Sequence, residues 1–268
     1  MKSNSKQFRL FCFPYAGGNE YVFRNWQKTL PDFVEVHAMR LPGRGARIRE
    51  APCRELSRLV DDLAVEMRSS LDLPFAFFGH SMGALISFEL SRAIRDQRGI
   101  QPARLFVSGR GGPHLPRKRA PVHDRPQEEI LAVLRELNGT PPEVMKNDEL
   151  MRLALPLLRA DLEMVETYLC RSATPLDCPI IGFTGFGDEG TTTADMQAWQ
   201  MHTSSRFSLH TFPGDHFFVK SDEALVLEKL SQELLQIVQT EVEPGGGRTG
   251  LSRTRQHQNV GRAGHDAR

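Results

Sequence analysis

The sequence predicts an α/β fold: a mostly parallel, doubly wound sheet with helices on both faces. Short apolar runs of strand length alternate along the chain with longer segments whose apolar residues recur at helical spacing. The 268 residues are 40% hydrophobic and 25% charged, which is the composition of an ordinary globular protein. Sheets of this class commonly form one unit at this length, so we expect a single domain over residues 1–240.

Each predicted strand is a short apolar run that ends in turn-forming residues. The first stops at Pro14-Tyr15-Ala16-Gly17-Gly18, and the second stops at Leu41-Pro42-Gly43-Arg44-Gly45. The predicted strands are residues 8–13, 34–39, 73–78, 104–108, 180–184 and 207–212. The predicted helices are residues 23–30, 55–70, 84–94 and 222–239.

Residues 126–172 interrupt this alternation, because two or three amphipathic helices follow one another there without a strand between them. Helices inserted where the strand ends open tend to cover a site. We therefore interpret this insertion as a lid, the alternative being additional core helices. A lid rich in leucine and methionine predicts an apolar tunnel that suits an acyl chain. The segment Asn138–Pro142 should divide the lid, and Pro156 should kink its longest helix.

Charge and composition limit the partners and the compartment. A net charge of +1 gives no general attraction to nucleic acid or acidic lipid. No segment is apolar and long enough for a signal peptide or a membrane span, so we expect a cytoplasmic protein. We also expect a monomer. The four cysteines form no C-x-x-C pair and are interpreted as buried or incidental thiols, with no metal site. Residues 241–268 lack hydrophobic periodicity and are predicted to be a flexible tail.

The most informative motif is Gly79-His80-Ser81-Met82-Gly83, because a predicted strand precedes it and a predicted helix follows it. A serine hydroxyl is a weak nucleophile unless a sharp strand-to-helix turn presents it to a base, and G-x-S-x-G forms such a turn. A side chain at Gly79 or Gly83 would collide where strand and helix pack closely. We predict that Ser81 is a catalytic nucleophile; the alternative is an ordinary turn with a buried serine.

A serine on such a turn is followed along the chain by an acid and then by a histidine. His216 lies between the last strand and the last helix, where it can reach the serine, and it is the predicted base. Asp188 directly follows a buried strand and is the predicted acid, with Glu189, Asp195 and Asp215 kept open as substitutes. The other histidines considered lie in turn, helix, strand or tail segments less suited to this role: His80, His202, His210, His257 and His265.

Acyl transfer also requires two N–H donors that hold the negatively charged oxygen of the tetrahedral intermediate. One predicted donor is the backbone amide of Met82, at the start of the helix that follows the serine. The other is the backbone amide of Ala16, in the glycine-containing loop after the first strand. These two amides are the predicted oxyanion hole.

Taken together, these motifs resemble those of the type II thioesterases, which are stand-alone α/β-hydrolases that accompany polyketide synthases and nonribosomal peptide synthetases. The family includes the medium-chain thioesterase of animal fatty acid synthesis. The resemblance spans about residues 8–238, and ordinary lipases share only the serine turn. It rests on five segments: Phe13–Gly18, Leu41–Arg44, Gly79–Gly83, Leu158–Asp161 and Phe212–Phe218.

The resemblance implies a triad of Ser81, His216 and Asp188 that hydrolyses acyl groups from the phosphopantetheine arm of carrier proteins, without a cofactor. Such an enzyme frees stalled or mis-primed synthases, or releases chains. One departure is Asp215, where the family usually has glycine. Carrier proteins of the family are acidic, so basic residues near the lid are candidates for docking: Arg44, Arg47, Arg110, Arg117, Lys118 and Arg119.

Three other functions stay open at this point. A carboxylester hydrolase would use the same triad on an oxygen ester, and an acyltransferase would replace water by another nucleophile. A non-catalytic scaffold of the same fold would bind a ligand or a partner instead. Turnover of acyl thioesters, and labelling of Ser81 by a serine-directed reagent, would distinguish among them.

Overall fold

The strands of the computed structural model, which describes residues 6–137, 139, 145, 147–171 and 174–242, form one parallel sheet. The sheet order is β2-β1-β3-β4-β5-β6, and every neighbouring pair within the described residues is parallel. The strands are β1 (Phe8–Phe13), β2 (Val34–Ala38), β3 (Phe75–His80), β4 (Arg104–Ser108), β5 (Ile180–Gly185) and β6 (Phe207–Phe212). This sheet confirms the predicted α/β fold class.

Helices connect the strands and cover both faces of the sheet. They are α1 (Trp26–Thr29), α2 (Leu56–Glu66), α3 (Met82–Arg98), α4 (Gln127–Leu137), α5 (Asp148–Glu166), α6 (Thr193–Gln197), α7 (Phe218–Ser221) and α8 (Glu223–Val242). Short 3₁₀ turns cover Glu20–Phe23, Gly45–Arg47, Met67–Ser70 and Ala198–His202. The helix predicted at residues 23–30 is instead a 3₁₀ turn over Glu20–Phe23 followed by the short helix α1, and the Asn19 side chain caps the turn at the amide of Tyr21.

Side chains that alternate along the central strands fill two separate cores. Phe11, Phe13 and Phe77 face the core beneath α2 and α3. Leu10, Cys12 and Phe78 face the opposite core, which α8 and Trp26 complete. Because both faces are covered, β3 is buried at every position, which explains the apolar run over residues 75–78.

The position of β1 between β2 and β3 fixes where a ligand can bind. The chain passes from β1 to β2 on one side and returns to β3 on the other, so β1 and β3 form the switch point of the sheet. Residue Phe13 at the end of β1 is in register with Gly79 at the end of β3. The loop after β1 and the turn after β3 therefore leave the sheet side by side.

The insertion between β4 and β5 contains α4 and α5. The side chain of Asn147 accepts a hydrogen bond from the amide of Leu150 and caps α5, which continues through Pro156 to Glu166. The predicted break at residues 138–142 lies outside the described residues except for Gly139. The predicted tail also lies outside them from residue 243, while α8 extends to Val242. None of the described helices combines the length and the apolar character needed to cross a membrane.

Candidate active site

Ser81 occupies a strained turn between β3 and α3. Its backbone angles are φ 55° and ψ −111°, and it is the only non-glycine residue with positive φ in the part of the chain that the structure describes. Such strain persists only where surrounding contacts enforce it, and the amide of Ser81 donates to the carbonyl oxygen of Ser108 at 2.7 Å. The turn places Ser81 directly at the N-terminus of α3, which begins at Met82.

Two glycines allow this turn to pack closely. A Cβ atom on Gly79 would lie 2.1 Å from the carbonyl oxygen of Gly83. A Cβ atom on Gly83 would lie 2.1 Å from the carbonyl oxygen of Phe13, at the end of β1. Both obstacles are backbone atoms, which cannot move aside like the end of a flexible side chain, so glycine is required at both positions.

His216 and Asp188 are paired. Nδ1 of His216 lies 2.7 Å from Oδ2 of Asp188, and the two side chains are 10% and 1% exposed. A carboxylate only accepts hydrogen bonds, so Nδ1 of His216 is the donor in this contact. The other carboxylate oxygen of Asp188 accepts from the amides of Gly190 and Thr191, each at 3.0 Å. Two backbone amides therefore hold one oxygen of Asp188, and the other oxygen contacts the ring of His216.

The substitute acids are engaged elsewhere or exposed. The carboxylate of Asp195 forms a capping box with Thr192 at the start of α6 and pairs with Lys118. Asp215 accepts a hydrogen bond from the amide of Phe217 at 2.8 Å. Glu189 is exposed. Asp188 is thus the predicted acid that the structure brings to His216.

His80 is completely buried beneath the site. Its Nδ1 lies 2.8 Å from Oγ of Ser108, and its ring centroid lies 5.2 Å from that of His216. Burial, and then the proximity of His216, hold the pKa of His80 well below 6.5, so its ring is neutral. The other histidines considered are remote or lie outside the described residues: His210 beside Glu233, His202 beside His114, and His257 and His265 beyond residue 242.

A cavity of about 280 Å³ joins the predicted site residues, since Ser81, His216, Ala16 and Met82 all line it. The first amides of a helix have no partner within the helix, so the Met82 amide at the N-terminus of α3 is suited to bind an oxyanion. Apolar side chains of the insertion between β4 and β5, the predicted lid, form part of the wall: Val133 and Leu137 of α4, and Leu162 and Val165 of α5. The cavity thus combines a serine turn, a paired histidine and an apolar wall.

Arg44 does not lie on a docking surface, contrary to the sequence-based expectation. It is 3% exposed and forms a two-point ion pair with Asp161 of α5, each N–O distance being 2.7 Å. Arg47 is also paired, with Glu50 and Glu66. The sequence motifs do not predict this contact of Asp161. The available signal is the acid at the end of Leu158-Arg159-Ala160-Asp161, one of the segments that resemble the thioesterase family.

The remaining basic candidates lie along the cavity. Arg110 lines it, and burial lowers the pKa of its guanidinium to about 10, so it is still charged at neutral pH. Arg117, Lys118 and Arg119 are exposed and line the same cavity, in the connection between β4 and α4. Arg119 forms an ion pair with Glu136, with an N–O distance of 2.5 Å.

A parallel sheet with a strained serine at its switch point, and a histidine–aspartate pair in the same cleft, define the α/β-hydrolase class. The model of the thioesterase domain family matches residues 8–234, so the chain belongs to the thioesterase family. It is a hydrolase that acts on thioesters.

Solved structures of type II thioesterases and related enzymes share this fold. RedJ, a thioesterase from the prodiginine pathway of Streptomyces coelicolor, is 38% identical with a TM-score of 0.79, and the match covers 85% of each chain. YbtT, a type II thioesterase from the yersiniabactin NRPS/PKS pathway, is 32% identical with a TM-score of 0.74, over 89% of this chain and 94% of YbtT.

Linear gramicidin dehydrogenase LgrE of Brevibacillus parabrevis is 44% identical over 228 residues, which are 84% of this chain and 87% of LgrE. LgrE carries the name of a dehydrogenase, and residues Gly185–Gly190 of this chain have the G-x-G-x-x-G spacing of a dinucleotide-binding turn. Such a turn opens a helix at its third glycine, whereas α6 begins only at Thr193 and has five residues. In this chain the segment instead supplies Asp188 to His216.

Proposed function

We propose that this enzyme hydrolyses acyl thioesters from the phosphopantetheine arm of carrier proteins, through a covalent acyl group on Ser81. The observation that carries the proposal is the cavity that Ser81 shares with the Asp188-paired His216 and with apolar lid residues. The similarity to YbtT, which is named for an NRPS/PKS pathway, supports carrier proteins as the source of the thioester.

The proposed reaction begins when Nε2 of His216 takes the proton of Ser81 Oγ as that oxygen bonds to the thioester carbonyl carbon. The amides of Met82 and Ala16 donate to the resulting oxyanion. The carbon–sulfur bond then breaks, and the departing thiolate receives the proton from His216. Water, deprotonated by His216, attacks the acyl-serine ester, and the free acid leaves as Ser81 regains its proton.

We also propose the cofactor requirement, the compartment and the partner of this enzyme. Every group in the reaction comes from the chain, the thioester substrate or water, so the proposed enzyme needs no cofactor. It acts as a cytoplasmic monomer on carrier domains of a synthase, removing stalled or aberrant acyl chains or releasing finished ones. The thioesterase family match and the pathway names of RedJ and YbtT support this role.

Replacement of the nucleophile tests the proposal. Ser81→Ala is expected to abolish hydrolysis of an acyl-carrier thioester and labelling by a fluorophosphonate, because no hydroxyl remains to accept the acyl or phosphonyl group. Ser91→Ala is the matched control, since Ser91 lies on the same helix and its buried hydroxyl donates to the carbonyl oxygen of Ser87. Hydrolysis by Ser81→Ala at more than a few per cent of the wild-type rate would contradict the proposal.

A further inference from the structure

A buried ion pair connects the lid helix α5 to the segment after β2. Arg44 and Asp161 meet through two N–O contacts of 2.7 Å, and their side chains are 3% and 0% exposed. Arg44 follows β2, whereas Asp161 lies in the lid helix α5, 117 residues later in the sequence. The fork of an arginine matches a carboxylate at two points, so this contact fixes orientation as well as distance.

The same carboxylate also holds the predicted oxyanion loop. Oδ2 of Asp161 accepts a hydrogen bond from the amide of Gly17 at 2.7 Å. One guanidinium nitrogen of Arg44 donates to the carbonyl oxygen of Gly18 at 3.3 Å. Gly17 and Gly18 directly follow Ala16, whose amide is the proposed second oxyanion donor. The ion pair therefore holds the peptide unit between Ala16 and Gly17, which directly follows that donor, and also the peptide unit between Gly18 and Asn19.

Packing adds a second contact between the same two elements. A Cβ atom on Gly17 would lie 2.7 Å from Cδ2 of Leu158, one turn before Asp161 on α5. Gly17 has φ +76°, so the loop turns sharply just where the lid helix touches it. The lid helix thus contacts the loop through a side chain and a hydrogen bond at the same residue.

Stability alone does not account for this arrangement. Removing two charges from water costs several kcal/mol per ion, and well-packed apolar residues in place of a buried pair are often neutral or stabilising. The pair of Arg44 and Asp161 does, however, connect three segments: the loop after β1, the segment after β2 and the helix α5. It thereby fixes their relative positions. Oxyanion-hole donors contribute to catalysis only when they are held at the position of the developing charge.

We propose that Arg44 and Asp161 are positioning residues for the oxyanion hole, and that α5 is thereby a structural part of that hole. Asp161 orients the peptide of Gly17, and this fixes the direction of the neighbouring Ala16 amide. The proposal rests on the proposed function of Ser81, and a separate variant therefore tests each.

Asp161→Asn removes the charge and retains the shape of the side chain. The amide oxygen of asparagine can still accept from Gly17, but it cannot hold both Arg44 contacts, so the loop loses its fixed position. We expect kcat for a short acyl thioester to fall about 10²-fold, as when one oxyanion donor is lost, with KM changed less than about 3-fold. Arg44→Lys, tested with Asp161 intact, retains the charge without the two-point fork. We expect its kcat to fall less than that of Asp161→Asn.

Arg104 and Glu233 supply the matched control, because they form another buried ion pair with side chains only 8% and 5% exposed. Neither residue lines the catalytic cavity. Glu233→Gln should lower the free energy of unfolding as Asp161→Asn does, because both leave a buried arginine without its carboxylate. At a temperature where both variants are folded by circular dichroism, Glu233→Gln should retain wild-type kcat.

The affinity of the enzyme for a trifluoromethyl ketone analogue of the substrate is a measurement that a purely structural role of Asp161 would not change. The analogue forms a tetrahedral adduct with the serine, so its affinity should fall in Asp161→Asn by the same factor as kcat/KM. An unchanged kcat and inhibitor affinity in folded Asp161→Asn, or an equal loss in Glu233→Gln, would overturn the positioning role. Activity in Ser81→Ala would instead overturn the proposed function, so the two failures are distinguishable.

Discussion

At the residue scale, the site depends on how Asp188 orients His216. The chain order of serine, acid and histidine predicts these partners, because each follows a strand that ends at the same edge of a parallel sheet. The sequence could not decide among the neighbouring carboxylates. That choice depends on the loop after β5, in which the amides of Gly190 and Thr191 hold one oxygen of Asp188 and leave the other for His216.

Asp188→Asn should lower kcat about 10³- to 10⁴-fold, because an amide in place of the carboxylate allows the wrong tautomer of His216 and removes support for its cation. The measurement is steady-state hydrolysis of an acyl thioester, alongside a thermal unfolding curve. Glu189→Gln makes the same chemical change at the exposed neighbour and should retain activity. Comparable losses in the two variants would refute the assignment of Asp188.

At the element scale, strand ends were predictable and long-range partners were not. The predicted bounds of β1, β4 and β6 coincide with the observed ones, because apolar runs and turn residues are local signals. Arg44 was predicted to be on the surface since an isolated arginine usually is. Its burial depends on the position of the lid helix α5, which carries Asp161, and no local pattern encodes that contact.

The connection between β4 and α4 presents Arg117, Lys118 and Arg119 along the cavity, and an acidic carrier should dock there. Changing all three to glutamine should lower kcat/KM for a carrier-bound acyl group about 10-fold and weaken its salt dependence. Hydrolysis of a small acyl thioester should be unaffected. The control variant carries the same change to glutamine at three exposed basic residues that do not line the cavity: Arg24, Lys28 and Arg68.

Steady-state kinetics at low and high salt measures this effect. The docking role requires that only the carrier-bound substrate respond to the triple change. Equal losses on both substrates would show that the basic residues act on the cavity itself and would contradict docking.

At the scale of the whole molecule, the two cores and the sheet between them explain why the fold class was predictable. Six apolar runs alternating with helices admit few arrangements other than a doubly wound parallel sheet. Folding also keeps two histidines neutral at a lower pH than in the unfolded chain. His80 is completely buried, and His202 is partly buried, where burial and then His114 lower its pKa to about 4.

Both histidines make stability depend on pH. In the unfolded chain they bind protons near pH 6.5, whereas in the folded chain they stay neutral to lower pH. The unfolded state therefore binds more protons below that pH, and the free energy of unfolding should fall as pH decreases from about 6.5 to about 4. Urea unfolding at several pH values measures this slope, which His202→Gln should reduce. A stability independent of pH across that window would contradict the prediction.

The contact of Asp161 with Gly17 also limits how this enzyme can be redesigned. Exchange of lids between relatives is an attractive way to change the acyl chain that an enzyme accepts. In this chain α4 supplies apolar wall residues, whereas α5 supplies both wall residues and the anchor of the loop after β1. A chimaera should therefore receive a foreign α4 with little loss of rate. A foreign α5 would need an acid in register with Arg44 before its new pocket could be used.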